Sequence, residues 1–238
     1  VVVGTTDIVR PKAEEEPRPL REEIDFILST AGLYMNPAPT YRDILSVFAG
    51  QRPLAAPKKE GKSTKELSRS HKVIVSDNGL VTITGGKWTS YRLMAEDTVD
   101  RAIAEAGLPR RKCVTRKLRI HGYRPDPDLS NHLYVYGSDE ERIPALIASD
   151  PALGERLSPK FGYTLAEVVW AVREEMALTV EDVLARRVRL LFVDAREATA
   201  AAPKVAETMA RELGRDRAWI DRQVADFTAL AQNYIFEE

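Results

Sequence analysis

The sequence is poor in the residues that form disulfides and metal centres. Its 238 residues contain one cysteine, Cys113, and three widely separated histidines, His71, His121 and His132. A single cysteine excludes an internal disulfide framework and fits a reducing compartment. The histidines and the cysteine show no metal-ligand spacing. The sequence therefore predicts neither a disulfide scaffold nor a metal site.

Features of membrane-spanning and nucleic-acid-binding proteins are also missing. There is no apolar run of some 18 residues that could span a bilayer. The formal net charge is −1, so the chain as a whole has no electrostatic attraction to nucleic acid or anionic lipid. Residues 110–119 are basic, but they lack the interleaved aromatic residues that stack on bases. This segment is interpreted as a solvated connector, and no nucleic-acid partner is expected.

The glycine-rich phosphate motifs are incomplete. A G-x-G-x-x-G fingerprint is absent from the whole chain. A P-loop ending at Lys87 would need glycine at residue 81, where Val81 stands, and one ending at Lys62 would need glycine in place of Ala56. Nucleotide binding through either motif is therefore not predicted.

The hydrophobic fraction of 44% is ample for a packed core. Helical periodicity is predicted for residues 21–34 and for a series in the second half: 139–148, 164–177, 179–190, 195–213 and 216–235. Strands are predicted for residues 1–5, 43–49 and the hairpin 73–84, whose Asn-Gly turn is a strong signal. The chain starts at Val1 within a strand pattern and without an initiator methionine, which predicts a piece of a longer protein.

These patterns predict an α+β fold class. Antiparallel strands and a strand–Gly-Gly–helix unit occupy residues 1–107, a linker covers 108–125, and an all-α C-terminal domain covers 126–238. The boundary is placed where prolines and aspartates cluster, after which the composition becomes helical.

The most informative stretch is residues 80–99. A run of β-formers ends at Gly85-Gly86, and helical spacing is predicted from Lys87 onward. A helix that starts after paired glycines directs free N–H groups and a positive dipole end toward whatever lies beyond the strand. Lys87 adds a formal charge there. The turn therefore favours an anion, although a purely structural bend has the same pattern.

Three other side chains are candidates for ligand binding, and each can instead have a purely structural or solvated role. Arg52 follows a predicted strand and can present a rigid bidentate donor to an anion. Arg69 lies in a basic loop beside His71 and can bind phosphate, but both arginines can simply be solvated. Trp88 can pack on a flat ligand or on the core. The helical half shows ordinary surface ion pairs and no catalytic constellation.

Four motifs occur in order and together resemble a known family. They are Val3-Gly-Thr-Thr-Asp7, Ser46-Val-Phe-Ala-Gly-Gln-Arg-Pro-Leu54, Leu67-Ser-Arg-Ser-His71 and Thr84-Gly-Gly-Lys-Trp-Thr-Ser-Tyr-Arg92. This set resembles the FAD-dependent respiratory glycerol-3-phosphate dehydrogenases, which are akin to α-glycerophosphate oxidase. The helical half is similar to that family's C-terminal domain. Family members carry further sequence upstream, including the G-x-G-x-x-G element and most FAD contacts, so this chain corresponds to their C-terminal portion.

The resemblance implies roles for the candidate residues. The turn made by Gly85, Gly86, Lys87, Trp88 and Thr89 would bind FAD at the pyrimidine end of the flavin, where helix N–H groups would stabilise negative charge. Arg52 would lie near the reacting C2 oxygen of the substrate, and Arg69 with Lys87 would bind the substrate phosphate, so Arg52 and Lys87 would be catalytic. A general base is also required. The family's histidine near the flavin lies upstream, and no residue of this chain is assigned that role.

The implied reaction converts sn-glycerol 3-phosphate to dihydroxyacetone phosphate by hydride transfer to flavin N5. Quinone or oxygen would accept the electrons, in a cytoplasmic enzyme or one bound peripherally at the inner face of the cell membrane. The isolated chain is expected to be inactive and to retain little FAD. Three alternatives stay open: a non-catalytic helical interaction module, a phosphate-binding module without redox chemistry, and a related amine- or amino-acid-oxidising flavoprotein.

Overall fold

The computed structural model describes residues 1–51 and 70–237. The chain divides into two compact units. The first unit comprises Val1–Ile8, Glu14–Gly50 and His121–Glu238, and the second comprises Val9–Ala13 and Gln51–Ile120. The described residues are mostly helical and include one two-stranded antiparallel sheet. The predicted fold class, a β-containing part followed by an all-α C-terminal domain, is confirmed. The predicted boundaries at 1–107, 108–125 and 126–238 stay a prediction.

The sheet of the second unit is the predicted hairpin. Strand β1 (His71–Val75) pairs with β2 (Val81–Gly85), with His71 opposite Gly85. Gly79 adopts φ +82° in the connecting turn, and its N–H donates to the carbonyl of Ser76 at 2.8 Å. Glycine adopts this left-handed conformation without steric cost, which explains why Asn-Gly marks the turn.

A helix follows β2, but it begins later than predicted. A 3-10 turn covers Trp88–Ser90, and the helix proper, α2, covers Tyr91–Glu105 rather than opening at Lys87. A short 3-10 turn is a common way to start a helix, and apolar spacing alone does not distinguish it from the first α-helical turn. Gly107, at φ +63°, follows the helix end, as expected for a C-terminal glycine.

The first unit contains the other α-helices found among residues 1–51 and 70–237. The first helix of the chain, α1, covers Arg21–Gly32 and confirms the helix predicted near there. The remaining helices are α3 (Arg142–Ser149), α4 (Leu165–Glu174), α5 (Leu190–Val193), α6 (Ala195–Leu213) and α7 (Arg217–Ala231). A π-helical turn covers Asp182–Arg187, within a segment predicted as regular α-helix.

The core of this unit is built around α6. This helix packs against α4, α5 and α7, and its buried face is lined by small side chains: Ala195, Ala198, Ala201, Ala202, Ala206 and Ala210. Alanines at helical spacing let neighbouring helices approach closely, and alanine is also the best helix former. Larger side chains from the neighbouring helices, such as Leu184, Leu191 and Phe227, fill the remaining space.

Two predicted strands are wrong. Residues 1–5 and 43–49 form no strand; the 3-10 turn at Tyr41–Asp43 is followed by chain without regular secondary structure. β-forming residues become a strand only where another backbone supplies a ladder of hydrogen bonds, and sequence propensity cannot show whether one is present.

Candidate functional site

The connection between β2 and α2 is built from two glycines with positive φ. Gly85 has φ +75° and Gly86 has φ +90°, values that side-chain-bearing residues rarely adopt. A Cβ atom on Gly86 would lie 2.6 Å from Sδ of Met94 and 3.2 Å from Cβ of His71. One side of the Gly86 backbone is therefore packed by protein, and no side chain of the two glycines can cover the turn itself.

Lys87 follows in extended conformation and forms the N-cap of the 3-10 turn. Its carbonyl accepts bonds from the N–H of Ser90 at 3.0 Å and from Oγ of Ser90 at 2.9 Å. The Lys87 side chain is exposed, and within residues 1–51 and 70–237 it has no hydrogen-bond or ion-pair partner. The N–H groups of Trp88 and Thr89 precede the first bond of the turn, so they have no partner inside it. This arrangement presents an ammonium group and free donors together, which favours an anion.

Two aromatic rings extend the site into a flat surface. The ring of Trp88 is 86% exposed and stacks on that of Tyr91, with centroids 5.4 Å apart and an interplanar angle of 24°. Thr89 is also exposed. The alternative reading of Trp88 as a core residue is therefore wrong for this chain. An exposed indole beside backbone donors can contact a planar ligand.

Five of the predicted site residues lie in one turn, and the other two lie outside the described residues. Gly85, Gly86, Lys87, Trp88 and Thr89 form one continuous turn. Arg52 and Arg69 lie outside the described residues, and so does the predicted contribution of Arg69 and Lys87 to a shared phosphate site. The roles assigned to all seven residues stay predictions.

A histidine–aspartate pair beside the turn was missed by the sequence reasoning. His71, on β1, and Asp97, on α2, approach to 2.7 Å between Nε2 and Oδ2. The residues are 26 positions apart, so no local motif joins them. The signal was indirect: the hairpin register places His71 opposite Gly85, and Met94 and Asp97 share a helix face because they are three residues apart.

The helical unit contains a polar cluster whose groups satisfy one another. The Glu167 side chain is 1% exposed; its carboxylate accepts bonds from the N–H of Thr164 at 2.7 Å and the hydroxyl of Tyr136 at 3.1 Å. Nε2 of His132 lies 3.3 Å from the same carboxylate. Burial raises the pKa of the Tyr136 hydroxyl far above its ordinary value, and the hydrogen bond to Glu167 raises the pKa of His132. Thr164 and Glu167 form a capping box at the start of α4, so the cluster anchors this helix rather than offering a free nucleophile.

Among residues 1–51 and 70–237, no three His, Cys, Asp or Glu side chains are grouped so that they could hold a metal ion. Within that part, no helix is both long enough and apolar enough to cross a bilayer.

Comparison with protein families identifies the helical part and the turn together. The family model for the C-terminal domain of alpha-glycerophosphate oxidase matches residues 81–220. This match begins at β2 and therefore includes the Gly85–Gly86–Lys87 turn.

Curated relatives extend the similarity to nearly the whole chain. The chain is 38% identical to the Arabidopsis thaliana mitochondrial glycerol-3-phosphate dehydrogenase SDP6, covering 89% of this chain and 38% of the relative. It is 33% identical to the Bos taurus mitochondrial glycerol-3-phosphate dehydrogenase, covering 100% of this chain and 35% of the relative. Glycerol-3-phosphate dehydrogenase 2 of Mycobacterium bovis is also 33% identical, with 100% and 43% covered. The chain thus spans well under half the length of these relatives.

A solved structure shares the fold. The glycerol-3-phosphate dehydrogenase from Bacillus halodurans, complexed with FAD, superposes with a TM-score of 0.73 at 24% identity, covering 98% of this chain and 49% of that one. At this identity the likeness establishes the fold alone. Because the family model covers more than half of the sequence, the chain belongs to the family of glycerol-3-phosphate dehydrogenases and alpha-glycerophosphate oxidase, whose C-terminal domain it contains.

Proposed function

We propose that the chain is the C-terminal part of an FAD-dependent glycerol-3-phosphate dehydrogenase that oxidises sn-glycerol 3-phosphate to dihydroxyacetone phosphate. Membership of the family and the names of the relatives support this proposal. The observation that carries it is the exposed ammonium group of Lys87, which stands without a described partner beside the unbonded N–H groups of the following turn.

The turn fits a phosphate ester. The N-terminal end of a helix normally disfavours a cation, because the macrodipole is positive there. Lys87 therefore gains from an anionic partner, and a phosphate monoester, which is largely dianionic at neutral pH, provides one. Arg69 would share this phosphate with Lys87, and Arg52 would donate to the C2 oxygen of the substrate. A lysine contributes a compact point charge, whereas arginine can bind two oxygens at once, so the three cations are suited to different oxygen atoms.

The residues at the turn also fit a flavin. Gly85 and Gly86 leave backbone uncovered by any side chain of their own, so a planar ring can approach closely. Trp88 adds an exposed indole, and Thr89 adds a hydroxyl and a free N–H. FAD, when bound, supplies the hydride acceptor at N5. The chain's own contribution is to bind and orient: N–H groups at the helix start face negative charge, and Lys87 holds the phosphate.

The test is made in the full-length enzyme that contains this chain. Lys87→Ala removes a charged hydrogen bond worth about 1.5 to 3 kcal/mol, so KM for glycerol 3-phosphate should rise by about 10- to 150-fold. Lys87→Arg should retain part of the affinity because the charge is kept. Lys112→Ala, at an exposed lysine of the connector, is the matched control and should leave KM unchanged. A Lys87→Ala enzyme with full flavin content and unaltered KM would refute the phosphate role.

The chain alone is proposed to be inactive, because Lys87 and its turn provide only part of the cofactor environment. We expect a colourless preparation with no oxidation of glycerol 3-phosphate. In the full-length protein, the flavin absorbance spectrum after FAD is added separates this reading from a phosphate-binding module, which would bind phosphate without perturbing the flavin. A yellow, stoichiometrically flavinated preparation would contradict the proposal.

The electron acceptor and the location are proposed on the resemblance alone. Quinone is the proposed acceptor, with oxygen as the alternative; turnover of the full-length enzyme with a soluble quinone under nitrogen distinguishes them. The proposed location is the cytoplasm, with peripheral association at the inner face of the cell membrane. Cell fractionation in the presence and absence of high salt measures that association.

A further inference from the structure

The His71–Asp97 pair joins the first strand of the hairpin, β1, to helix α2, which follows the turn. His71 lies opposite Gly85 in the β-ladder, so it flanks the last residue of β2. Its Nε2 atom is 2.7 Å from Oδ2 of Asp97 on α2. The hydrogen bond therefore spans the Gly85–Gly86 connection without using any atom of the connection itself.

The same two elements form the packing surface behind Gly86. Sδ of Met94 and Cβ of His71 are the atoms that a Cβ on Gly86 would meet, at 2.6 Å and 3.2 Å. Met94 and Asp97 are three residues apart on α2, so both can face the hairpin. The Met94 side chain is apolar and flexible, so its contact behind Gly86 can adapt. The His71–Asp97 hydrogen bond is directional, so it fixes the distance between β1 and α2.

Glycine pairs need such a constraint. Gly85 and Gly86 have no side chains to limit their backbone, and glycine loses more conformational freedom on folding than any other residue. The side chain of Lys87, the N-cap of the following 3-10 turn, makes no capping hydrogen bond to that turn. The position of Lys87 relative to the sheet then depends on how α2 is held against β1.

His71 itself is poorly suited to direct chemistry. Its side chain is 17% exposed, and Nε2 is committed to Asp97, whose side chain is 45% exposed. A general base needs a ring nitrogen within hydrogen-bond reach of the substrate proton. The histidine acts on the site through the backbone that it holds.

We infer that His71 and Asp97 are a positioning pair that holds the Gly85–Gly86 turn and so places Lys87 for the substrate phosphate. The inference rests on the proposed function, because it concerns the same turn. A small displacement of a binding group is enough to matter, since misplacement by about 1 Å can cost up to about a hundredfold in rate.

The experiment uses the full-length enzyme with bound flavin. Asp97→Ala removes the acceptor at a half-exposed helix position, where alanine favours the helix and does not threaten folding. KM for glycerol 3-phosphate should rise about tenfold while kcat changes less. His71→Phe should have a similar effect, and His71→Gln, whose amide can still donate to Asp97, should restore most of the affinity. Arg101→Gln is the matched control, because it breaks the Arg101–Glu105 ion pair on the same helix, away from the turn.

The double variant supplies the decisive readout. If the two residues act as one unit, combining His71→Phe with Asp97→Ala should raise KM no further than each single change. Unchanged KM in Asp97→Ala, or additive effects in the double variant, would overturn the positioning role. The outcome is separable from that of the proposed function: an effect of Lys87→Ala without an effect of Asp97→Ala defeats only the pair, whereas no effect of Lys87→Ala defeats the phosphate site.

Discussion

The carbonyl oxygen of Gly122 occupies the position that a side chain on Gly137 would need. A Cβ atom on Gly137 would lie 1.8 Å from that oxygen, and Gly137 has φ +55°. The same carbonyl accepts a hydrogen bond from the N–H of Ser138 at 3.2 Å. The obstructing atom belongs to the backbone, so it cannot rotate away as the end of a flexible side chain could. The two chain segments that contain Gly122 and Gly137 are held together at this point.

Gly137→Ala should therefore be strongly destabilising. The positive φ alone costs of order 1 to 3 kcal/mol for a side-chain-bearing residue, and relieving the overlap requires the segment containing Gly122 to move. We expect a loss of about 3 kcal/mol or more in the free energy of unfolding, measured by urea denaturation. Gly214→Ala is the control: it has a similar φ of +63° but nothing within 4 Å of the new Cβ. Equal losses for the two variants would show that the close approach contributes nothing.

Stability should decrease with rising pH because of His132. The hydrogen bond to Glu167 raises the pKa of His132 above its ordinary 6.5, although burial and Arg156 oppose the shift. A raised pKa in the folded state adds stability that is complete below about pH 6.5 and is lost as pH rises through the folded pKa. The side chain is 38% exposed, so solvent screening should limit the effect to less than about 1 kcal/mol.

The measurement is the urea midpoint of the chain from about pH 5.5 to about pH 8.5. His132→Gln keeps an amide that can donate to Glu167 but cannot titrate, so the decline between pH 6.5 and the alkaline end should flatten. His121→Gln is the control, since His121 has an 82% exposed side chain and also pairs with a carboxylate, that of Asp139. An identical pH profile in the His132 variant and the native chain would remove His132 as the cause.

The helices and the hairpin could be predicted because their signals are local. Helical periodicity predicted a helix over residues 195–213, and α6 has those bounds. Asn78-Gly79 predicted the hairpin turn. Residues 43–49 show the limit: the N–H of Val47 donates to the carbonyl of Tyr234, and the carbonyl of Leu45 accepts from Ala195. These partners are distant in sequence, so β-propensity suggested a strand where the chain docks on helices.

The candidate site likewise has one part that the sequence could predict and one part that it could not. The turn from Gly85 to Thr89 is contiguous, so a strand pattern followed by two glycines was enough to locate it. The His71–Asp97 pair depends on strand register and helix phase at once, and neither is determined to one residue by spacing. The positions of Arg52 and Arg69 lie outside the described residues, and their roles remain predictions from the resemblance.

Two aspartate N-caps should differ in their contribution to stability. Asp194 caps α6 by accepting the N–H of Glu197 at 3.1 Å, is 2% exposed, and is 3.3 Å from Nζ of Lys160. Asp216 caps α7 by accepting the N–H of Trp219 at 2.8 Å and is exposed. Asp216→Ala should cost about 1 kcal/mol. Asp194→Ala should cost about 2 to 3 kcal/mol, because the buried Asp194 also loses its ion pair with Lys160. Calorimetric Tm values of both variants test the difference.

The packing of residues 44–50 against the C-terminal helices of the first unit should depend on a small aromatic cluster. The ring of Phe192 contacts Phe48 edge-on, with centroids 5.1 Å apart, and Tyr234 at 5.6 Å. Oγ of Ser46 donates to the carbonyl of Leu191 at 2.8 Å. Phe192→Ala removes the ring shared by both contacts. It should therefore release the segment before the whole unit unfolds.

Amide hydrogen exchange provides the measurement. The N–H of Val47, bonded to the carbonyl of Tyr234 at 2.9 Å, should exchange about tenfold or more faster in Phe192→Ala, corresponding to about 1.4 kcal/mol of lost local stability. Amides in the centre of α6 should keep their protection, because their bonds are internal to the helix. Phe26→Ala is the control, since Phe26 is exposed and lies on α1. Equal acceleration at Val47 and throughout α6 would mean that Phe192 supports the whole unit, and the local docking role would then be wrong.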